Sequence, residues 1–298
     1  MKRKIYIKLI GGLGNQLFQY SCAKNLSIEL NADLIIDDKT GFFFDSEFKR
    51  KKNLPKNLEY IKINILDILT FNIFIFIKKI FFKNKIFFKF GNHIILDETK
   101  NKKFIKDLPV IFKKYRKIFL VGFFQSEKYF LKNKKIIIEK ILKNKIKNSK
   151  LKKLKKNISN NSILVGIRMF EEAPLNIRTH FGGIESFSFY NKSINIFKKK
   201  FINPFFFIFS TFGNTEIIRK NIDTDSKIVD NSLKFTNSDL EYLLLTSSFS
   251  NFIISNSSFY WWAAYLAEYK KRIKIIVSKK FLNSHTVPKR WKSLKRKI

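Results

Sequence analysis

The sequence predicts an α/β protein made of two halves, each built on a mostly parallel sheet. Short runs of Ile, Leu, Val and Phe alternate with segments of helical periodicity, and glycine or polar turns separate them. Repeated strand and helix units of this kind form parallel sheets with helices on both faces. The 298 residues are enough for two domains of ordinary size.

The first half begins with a strand, a turn, a helix and a second strand. Lys4 to Ile10 predicts the strand, Gly11 to Gly14 the turn, and Asn15 to about Leu30 the helix. The helix is broken at 31–33, and Leu34 begins the second strand. This is a common supersecondary unit of α/β proteins.

The middle of the chain is less regular. Residues 41–117 contain short Ile and Phe runs broken by Asn, Pro and Gly, and they give no firm prediction. Residues 118–124 predict a buried strand, and 126–157 predict one or two lysine-rich helices. A polar turn follows, so we place the domain boundary there, between domains 1–157 and 158–298.

The second half alternates regularly. We predict strands at 163–168, 205–210, 227–230, 251–255 and 273–277, and helices at 189–200, 215–222, 238–247 and 258–269. Two Rossmann-like halves describe a GT-B-like architecture, for which we expect a ligand in the cleft between them.

The net charge is +37, which ordinarily indicates a nucleic-acid or anionic-membrane partner. The basic residues are mostly Lys, spread through a composition rich in Ile, Phe and Asn, and no groove-reading, RNP or zinc-finger motif accompanies them. We therefore expect no nucleic acid. A noncatalytic basic peripheral protein that binds anionic lipid or nucleic acid is the competing hypothesis.

The single cysteine, Cys22, excludes an intramolecular disulfide and suits a reducing compartment. The N-terminal apolar run is too short for a signal peptide, so we expect a cytoplasmic protein. Residues 71–90 mix eight Phe with five Lys. This segment suits either peripheral contact with the inner face of the cytoplasmic membrane or buried elements with solvated lysine tips.

The glycine turn is the first candidate site. It ends a strand and opens a helix, where glycines allow positive φ and free N–H groups attract phosphate. Asn15 and Gln16 add side-chain donors. The spacing matches neither the Rossmann fingerprint nor the P-loop, so a purely structural tight turn is an equal alternative.

Arg168 ends the strand ILVGIR, at the sheet edge where α/β proteins bind ligands. A guanidinium there can hold a diphosphate and neutralise a departing nucleotide. Glu171 and Glu172 are candidates for orienting Arg168 or for accepting a proton from an acceptor hydroxyl. A structural ion pair between Arg168 and one of them is the alternative.

Residues 255–258 (Ser-Asn-Ser-Ser) lie between a strand and the helix FYWWAAYLAEY, and form a second potential phosphate site or simply a well-capped helix. His93, His180 and His285 are isolated, and no D-x-D cluster follows a strand. We therefore expect no metal. No G-x-S-x-G elbow supports a serine nucleophile.

Several motifs together resemble glycosyltransferase family 11, the α-1,2-fucosyltransferases. They are GGLGNQLFQY (11–20), VGFFQSEKYF (121–130), FFIFS (206–210) and DLEYLLLTSSFSNFIISNSSFYWWAAYL (239–266). The resemblance spans nearly the whole chain. The chain departs from the family's H-x-R-R-x-D element, in which it has Gly166, Met169 and Glu171 in place of His, the second Arg and Asp. Ser210-Thr211-Phe212 replaces the family's usual acidic pair.

The resemblance implies a GT-B fold and inverting, metal-independent transfer of L-fucose from GDP-fucose to a galactose 2-hydroxyl. The acceptor would be a galactose-terminated oligosaccharide or lipid-linked glycan in surface polysaccharide synthesis. Domain 158–298 would bind the GDP-sugar and domain 1–157 would face the acceptor. The implied donor-binding residues are Gly12, Gly14, Asn15, Gln16, Arg168, Asn256, Ser257 and Ser258.

Overall fold

Two parallel-rich sheets organise the protein, for which we obtained a computed structural model. The structure describes residues 2–294, apart from 44, 46–47, 102, 171–177, 179–182, 211–212 and 231–237. The described residues contain two six-stranded sheets and the helices that cover them. The α/β class predicted from the sequence is confirmed.

The chain divides into two compact units. The first comprises Met1–Ile141 with Asn283–Thr286, and the second comprises Leu142–Leu282 with Val287–Ile298. The helix at Ser149–Lys156, which the sequence-based boundary assigns to the first domain, belongs to the second unit.

The sheet of the first unit has the strand order β3-β2-β1-β6-β5-β4 within the described residues. Its strands are β1 (Lys4–Lys8), β2 (Asp33–Asp37), β3 (Ile61–Lys62), β4 (Phe87–Phe90), β5 (His93–Asp97) and β6 (Lys117–Val121). Only the pair β4–β5 is antiparallel in this described sheet.

The helices of this unit are α1 (Leu13–Glu29), α2 (Thr40–Phe43), α3 (Ile65–Phe81), α4 (Leu108–Phe112) and α5 (Lys134–Leu142). Among the described residues of this unit, short 3-10 turns also lie at Glu98–Lys100, Glu127–Tyr129 and Leu131–Asn133. The segment 71–90, for which the sequence left two alternatives, thus forms the end of α3 and the strand β4.

The sheet of the second unit is entirely parallel over its described strands, in the order β12-β11-β10-β7-β8-β9. The strands are β7 (Ser162–Gly166), β8 (Phe205–Ser210), β9 (Ser226–Asp230), β10 (Asn251–Ile254), β11 (Lys274–Val277) and β12 (Lys292–Ser293). The helices are α6 (Ser149–Lys156), α7 (Phe187–Lys198), α8 (Thr215–Asn221), α9 (Asp239–Thr246) and α10 (Ser258–Lys270).

Observed strands end earlier than predicted where a turn begins. The strand predicted at 118–124 ends at Val121, because Gly122 and Phe124 have φ of 142° and 52°. Neither value fits an extended strand. The turns that follow the strands therefore carry residues that hydrophobicity alone assigned to the strands.

Aromatic contacts hold the core together on one face of the first sheet. The Phe119 ring lies 4.7 Å from Tyr6, 4.9 Å from Phe71 and 5.8 Å from Phe74, measured between centroids. Phe71 and Phe74 belong to α3, so this cluster attaches that helix to the sheet. Such ring pairs add to the free energy gained from burial itself.

Phe119→Ala should therefore lower the unfolding free energy by about 3–5 kcal/mol, because it leaves a cavity beneath α3. Urea unfolding measures the change. Phe43→Ala, at a side chain that is 83% exposed, is the control and should stay within about 0.5 kcal/mol of wild type. Equal denaturation midpoints for both variants would contradict this account of the core.

Candidate functional site

The predicted site residues lie at the two points where strand order changes direction. In the first sheet this point lies between β1 and β6, and in the second between β7 and β10. Open parallel sheets bind ligands at such points, beyond the carboxyl ends of the strands. The glycine loop follows β1, Arg168 follows β7, and 255–258 follow β10.

The glycine loop has the backbone that its sequence requires. Gly11 has a φ of 77°, and a Cβ there would lie 2.6 Å from Asn15 Nδ2. Gly12 is the N-cap of α1 and provides no side-chain hydrogen bond, while Gly14 is buried in the first turn. The loop therefore brings the backbone N–H groups at the start of α1 to the carboxyl edge of the sheet.

Gln16 fixes this loop through its buried amide. Its Nε2 donates to the carbonyls of Gly11 at 2.8 Å and Lys51 at 2.9 Å, and its Oε1 accepts from the N–H of Asn53 at 2.8 Å. The amide we predicted to bind a ligand thus holds 51–53 against the glycine loop. We assign Gln16 this bracing role, since both of its amide protons are used inside the protein.

The hydrogen bonds of Gln16 to 51–53 position the neighbouring Arg50, which was not predicted from the sequence as a site residue. A Cβ at Gly12 would lie 3.7 Å from Nη1 of Arg50, whose guanidinium also lies over the Phe48 ring at 5.0 Å. Arg50 falls in the segment 41–117, for which we made no firm prediction. Its proximity to Gly12, 38 residues earlier in the chain, is a tertiary feature without a local signal.

The loop after β6 completes this edge. Gln125 donates to Asn15 Oδ1 at 2.8 Å, and the fully buried Gln19 accepts from the N–H of Ile10 at 3.1 Å and donates to the carbonyl of Gly122 at 3.0 Å. The two loops that flank the switch point are therefore hydrogen-bonded through α1. Asn15 and Gln125 remain partly exposed at the edge.

The buried carboxylate of Glu98 binds main-chain N–H groups of the same loop. Its Oε2 accepts from the N–H groups of Phe123 at 3.2 Å and Phe124 at 3.3 Å. The side chain is almost fully buried, and this burial raises the pKa of Glu98 although the two N–H donors act in the opposite direction. A Cβ at Gly122 would lie 2.7 Å from this carboxylate, so the position requires glycine.

Arg168 was predicted as the last residue of its strand, but β7 ends at Gly166, so Arg168 lies two residues beyond it. Its side chain is half-buried, and its guanidinium lies 4.7 Å from the centroid of the Phe170 ring. Phe170 itself has a φ of 55°, an unfavourable conformation for a bulky residue. Unfavourable backbone conformations of this kind are concentrated at functional sites. Here the conformation of Phe170 places its ring against the guanidinium of Arg168.

Gly166 precedes Arg168 and packs directly on a ring. A Cβ at this position would lie 2.6 Å from the Tyr260 ring, whose hydroxyl donates to the carbonyl of Phe209 at 3.0 Å. The carbonyl of Gly166 accepts from both the N–H and the Oγ of Ser255, at 3.2 and 3.1 Å. Tyr260 thus fills the space that a larger residue at position 166 would need.

The second phosphate-site candidate lies beside these residues. Ser257 caps α10 by accepting from the N–H of Tyr260, and Ser258 is the first residue of the helix. Asn256 is mostly buried and donates to the carbonyl of Gly183 at 3.2 Å. The three residues lie next to Arg168 along the sheet, because β7 and β10 are paired neighbours.

The two acidic candidates, Glu171 and Glu172, lie outside the described residues. A different carboxylate, Glu185, lies at this edge without a local signal in the sequence. It accepts from the buried Ser278 hydroxyl beyond β11, and its Oε1 lies 3.7 Å from Lys280 Nζ. These contacts tie the chain before α7 to the end of β11.

The described residues contain neither a cluster of metal ligands nor a membrane-spanning helix. Within the described part of the chain, no group of three or more His, Cys, Asp or Glu is placed to hold a metal ion. Among these residues, no helix has both the length and the apolar character needed to cross a bilayer. His180 lies outside the described residues.

Comparison with known proteins identifies related sequences and folds. The model of the family described as Glycosyl transferase family 11 matches residues 4–294. The chain is 28% identical over 305 residues to the alpha-1,2-colitosyltransferase of Escherichia coli, covering 96% of this chain and 97% of that protein.

Among solved structures, a mutant of Arabidopsis thaliana FUT1 in complex with GDP matches with a TM-score of 0.52 and 13% identity, over 93% of this chain and 70% of that one. Fucosyltransferase NodZ from Bradyrhizobium matches with a TM-score of 0.48 and 13% identity, over 88% of this chain and 92% of that one. The Arabidopsis match supports the GT-B-like fold predicted from the sequence.

Gly166→Ala should destabilise the second unit by about 1–3 kcal/mol, because the new methyl group overlaps the Tyr260 ring. In a Tyr260→Leu background the same substitution should cost less. A double-mutant cycle in urea measures this coupling. Additive effects of the two substitutions would show that the ring is not what requires glycine.

Glu98→Gln should change how stability depends on pH. The pKa of Glu98 is raised from its ordinary value of 4.5, so the folded protein binds this proton more tightly than the unfolded chain. Its contribution to stability is full below pH 4.5 and is lost as the pH rises through the folded-state pKa. The stability of wild type relative to Glu98→Gln should therefore fall over that range.

Urea unfolding at a series of pH values measures this difference. The exposed Glu216→Gln is the control for the loss of a carboxyl group at the surface. A stability of wild type relative to Glu98→Gln that rises with pH would contradict the assignment.

Proposed function

Because this chain belongs to glycosyl transferase family 11, we propose that it is an inverting fucosyltransferase that uses GDP-fucose as its donor. The chain is a glycosyltransferase with a fucosyltransferase-like fold. The proposed acceptor is the 2-hydroxyl of a galactoside, in an oligosaccharide or lipid-linked glycan for surface polysaccharide. The observation that carries the proposal is the position of Arg168 beside 256–258 at the switch point of the second sheet.

This arrangement suits a nucleoside diphosphate. A guanidinium can make paired, charge-assisted hydrogen bonds to phosphate oxygens, and the start of α10 adds the partial positive charge of a helix N-terminus. Both are positioned before the reaction begins, so they can stabilise the charge that develops on the departing GDP. The GDP complex of the Arabidopsis protein is consistent with such a ligand.

We propose that this stabilisation proceeds without a metal ion, since Arg168 and the helix N-terminus can neutralise the diphosphate. Glu171 and Glu172 are the proposed bases for the acceptor hydroxyl. Gly12, Gly14 and Asn15 are proposed to contribute the donor contacts of the first unit, with Arg50 as an additional cation near Gly12. The reaction is expected in the cytoplasm.

The relative from Escherichia coli suggests one alternative donor. Its name states transfer of colitose in an alpha-1,2 linkage. Colitose is L-fucose without the 3-hydroxyl group, so a GDP-linked colitose would share the diphosphate and most of the sugar with GDP-fucose. GDP-colitose is therefore the second donor to be tested, with the same linkage expected.

Calorimetric titration of the protein with GDP and GDP-fucose, without metal, tests the donor site. We expect micromolar binding, weakened about 10- to 100-fold by Arg168→Ala, because hydrogen bonds to charged groups contribute about 1.5–3 kcal/mol. Arg272→Ala removes the same charge from the opposite edge of that sheet, just before β11. This control should bind GDP like wild type.

Mass spectrometry of the product then identifies the sugar, because fucosyl and colitosyl products differ by one oxygen atom. Preference for GDP-colitose would overturn the GDP-fucose assignment and retain the GDP site. Failure of the folded protein to bind GDP, or equal losses in both arginine variants, would overturn the proposed donor site.

A further inference from the structure

Helix α3 has an outward face that is largely apolar. The side chains on this face recur at helical spacing, and each is more than half exposed. They are Ile65, Leu66, Leu69, Ile73, Phe76, Ile80 and Phe81. An exposed apolar stripe of this size is unusual for a helix in contact with water alone. It marks an interaction surface for a protein, a ligand or a membrane.

The inward face fixes the orientation of this helix. Phe71 is fully buried and Phe74 packs on Phe119, so α3 cannot rotate its outward face into the core without losing these contacts. Two of its three charged residues point inward as well. Lys78 is buried, and its Nζ lies 2.7 Å from Asp97 Oδ2. Oδ1 of Asp67 lies 3.3 Å from Lys117 Nζ.

The charges around the stripe have a single sign. Between residues 61 and 92, all of which are described, the exposed charged side chains are Lys62, Lys79, Lys83, Lys85 and Lys89. The acidic residue of this segment, Asp67, is buried in its ion pair. The outward face thus combines apolar side chains with lysines and no exposed carboxylate within 61–92.

We propose that α3 binds the surface of an anionic phospholipid bilayer, with its apolar stripe among the acyl chains and its lysines at the headgroups. The helix has 17 residues, about 26 Å at 1.5 Å per residue. It is amphipathic and carries charge within its length, which suits a helix lying in the interface. A second copy of the chain is a poorer partner, because it would bring the same lysines together.

Flotation with vesicles tests this surface independently of the proposed activity. The protein should bind vesicles of equimolar phosphatidylcholine and phosphatidylglycerol, and bind phosphatidylcholine vesicles at least about tenfold more weakly. A variant with Leu66, Leu69, Ile73 and Phe76 replaced by Gln should lose this binding. Gln is a good helix former and the replaced side chains are exposed, so the fold should persist.

Two matched variants separate this site from the overall positive charge. Replacing Lys79, Lys83, Lys85 and Lys89 by Gln should weaken binding about tenfold or more. Replacing Lys150, Lys152, Lys153 and Lys156 by Gln removes equal charge from around α6 and should have little effect. Equal losses in both variants would overturn the proposed surface.

Tryptophan fluorescence reports directly on insertion. Phe76→Trp should show a blue shift with the anionic vesicles, whereas Ile202→Trp, at an 85% exposed position in the second unit, should not. Two results would overturn the proposal: the absence of a shift at position 76, or a lipid-free dimer in sedimentation that the Gln variant of α3 converts to monomer.

Discussion

Two buried amides in the first turns of α1 hold together the carboxyl edge of the first sheet. Gln16 and Gln19 are fully buried, and each uses its side chain to satisfy main-chain groups of other segments. Loops at a sheet edge leave N–H and C=O groups that ladder hydrogen bonds do not reach, and burying them unpaired would be costly. The amides meet this need and, in doing so, define the backbone of the candidate site.

In the second sheet, a main-chain carbonyl rather than side-chain amides joins the segments at the carboxyl edge. The carbonyl of Gly166 receives two hydrogen bonds from Ser255, so the ends of β7 and β10 are joined just before Arg168 and residues 256–258. The family pattern places a histidine where this chain has Gly166. The ring of Tyr260 occupies the adjacent space, so the loss of the larger side chain does not leave a cavity.

In α3 two charged residues are buried while apolar side chains are exposed, and ion pairs explain why this arrangement is stable. Burying a lysine or an aspartate alone is unfavourable, but here each is paired with an opposite charge from the sheet. Aromatic contacts with Phe119 contribute the apolar part of the attachment. The helix can therefore present apolar side chains outward without loosening from the sheet.

The sequence by itself determined the α/β alternation, the glycine turn, and the positions of Arg168 and 256–258 at the carboxyl ends of their strands. These features follow from local periodicity and from the rule that parallel strands end at one edge. Met1 to Leu30, for example, contains every residue needed to predict β1, the turn and α1.

Only the tertiary structure decided that Gln16 is a brace, that Arg50 lies near Gly12, that Glu185 joins Ser278, and that the apolar stripe of α3 faces outward. Each of these depends on partners tens of residues away, or on which side of a nearly all-apolar helix meets the sheet. The periodicity of the sequence determines which residues share each of the faces of a helix. The packing of Phe71, Lys78 and Asp67 against the sheet decides which of them is buried.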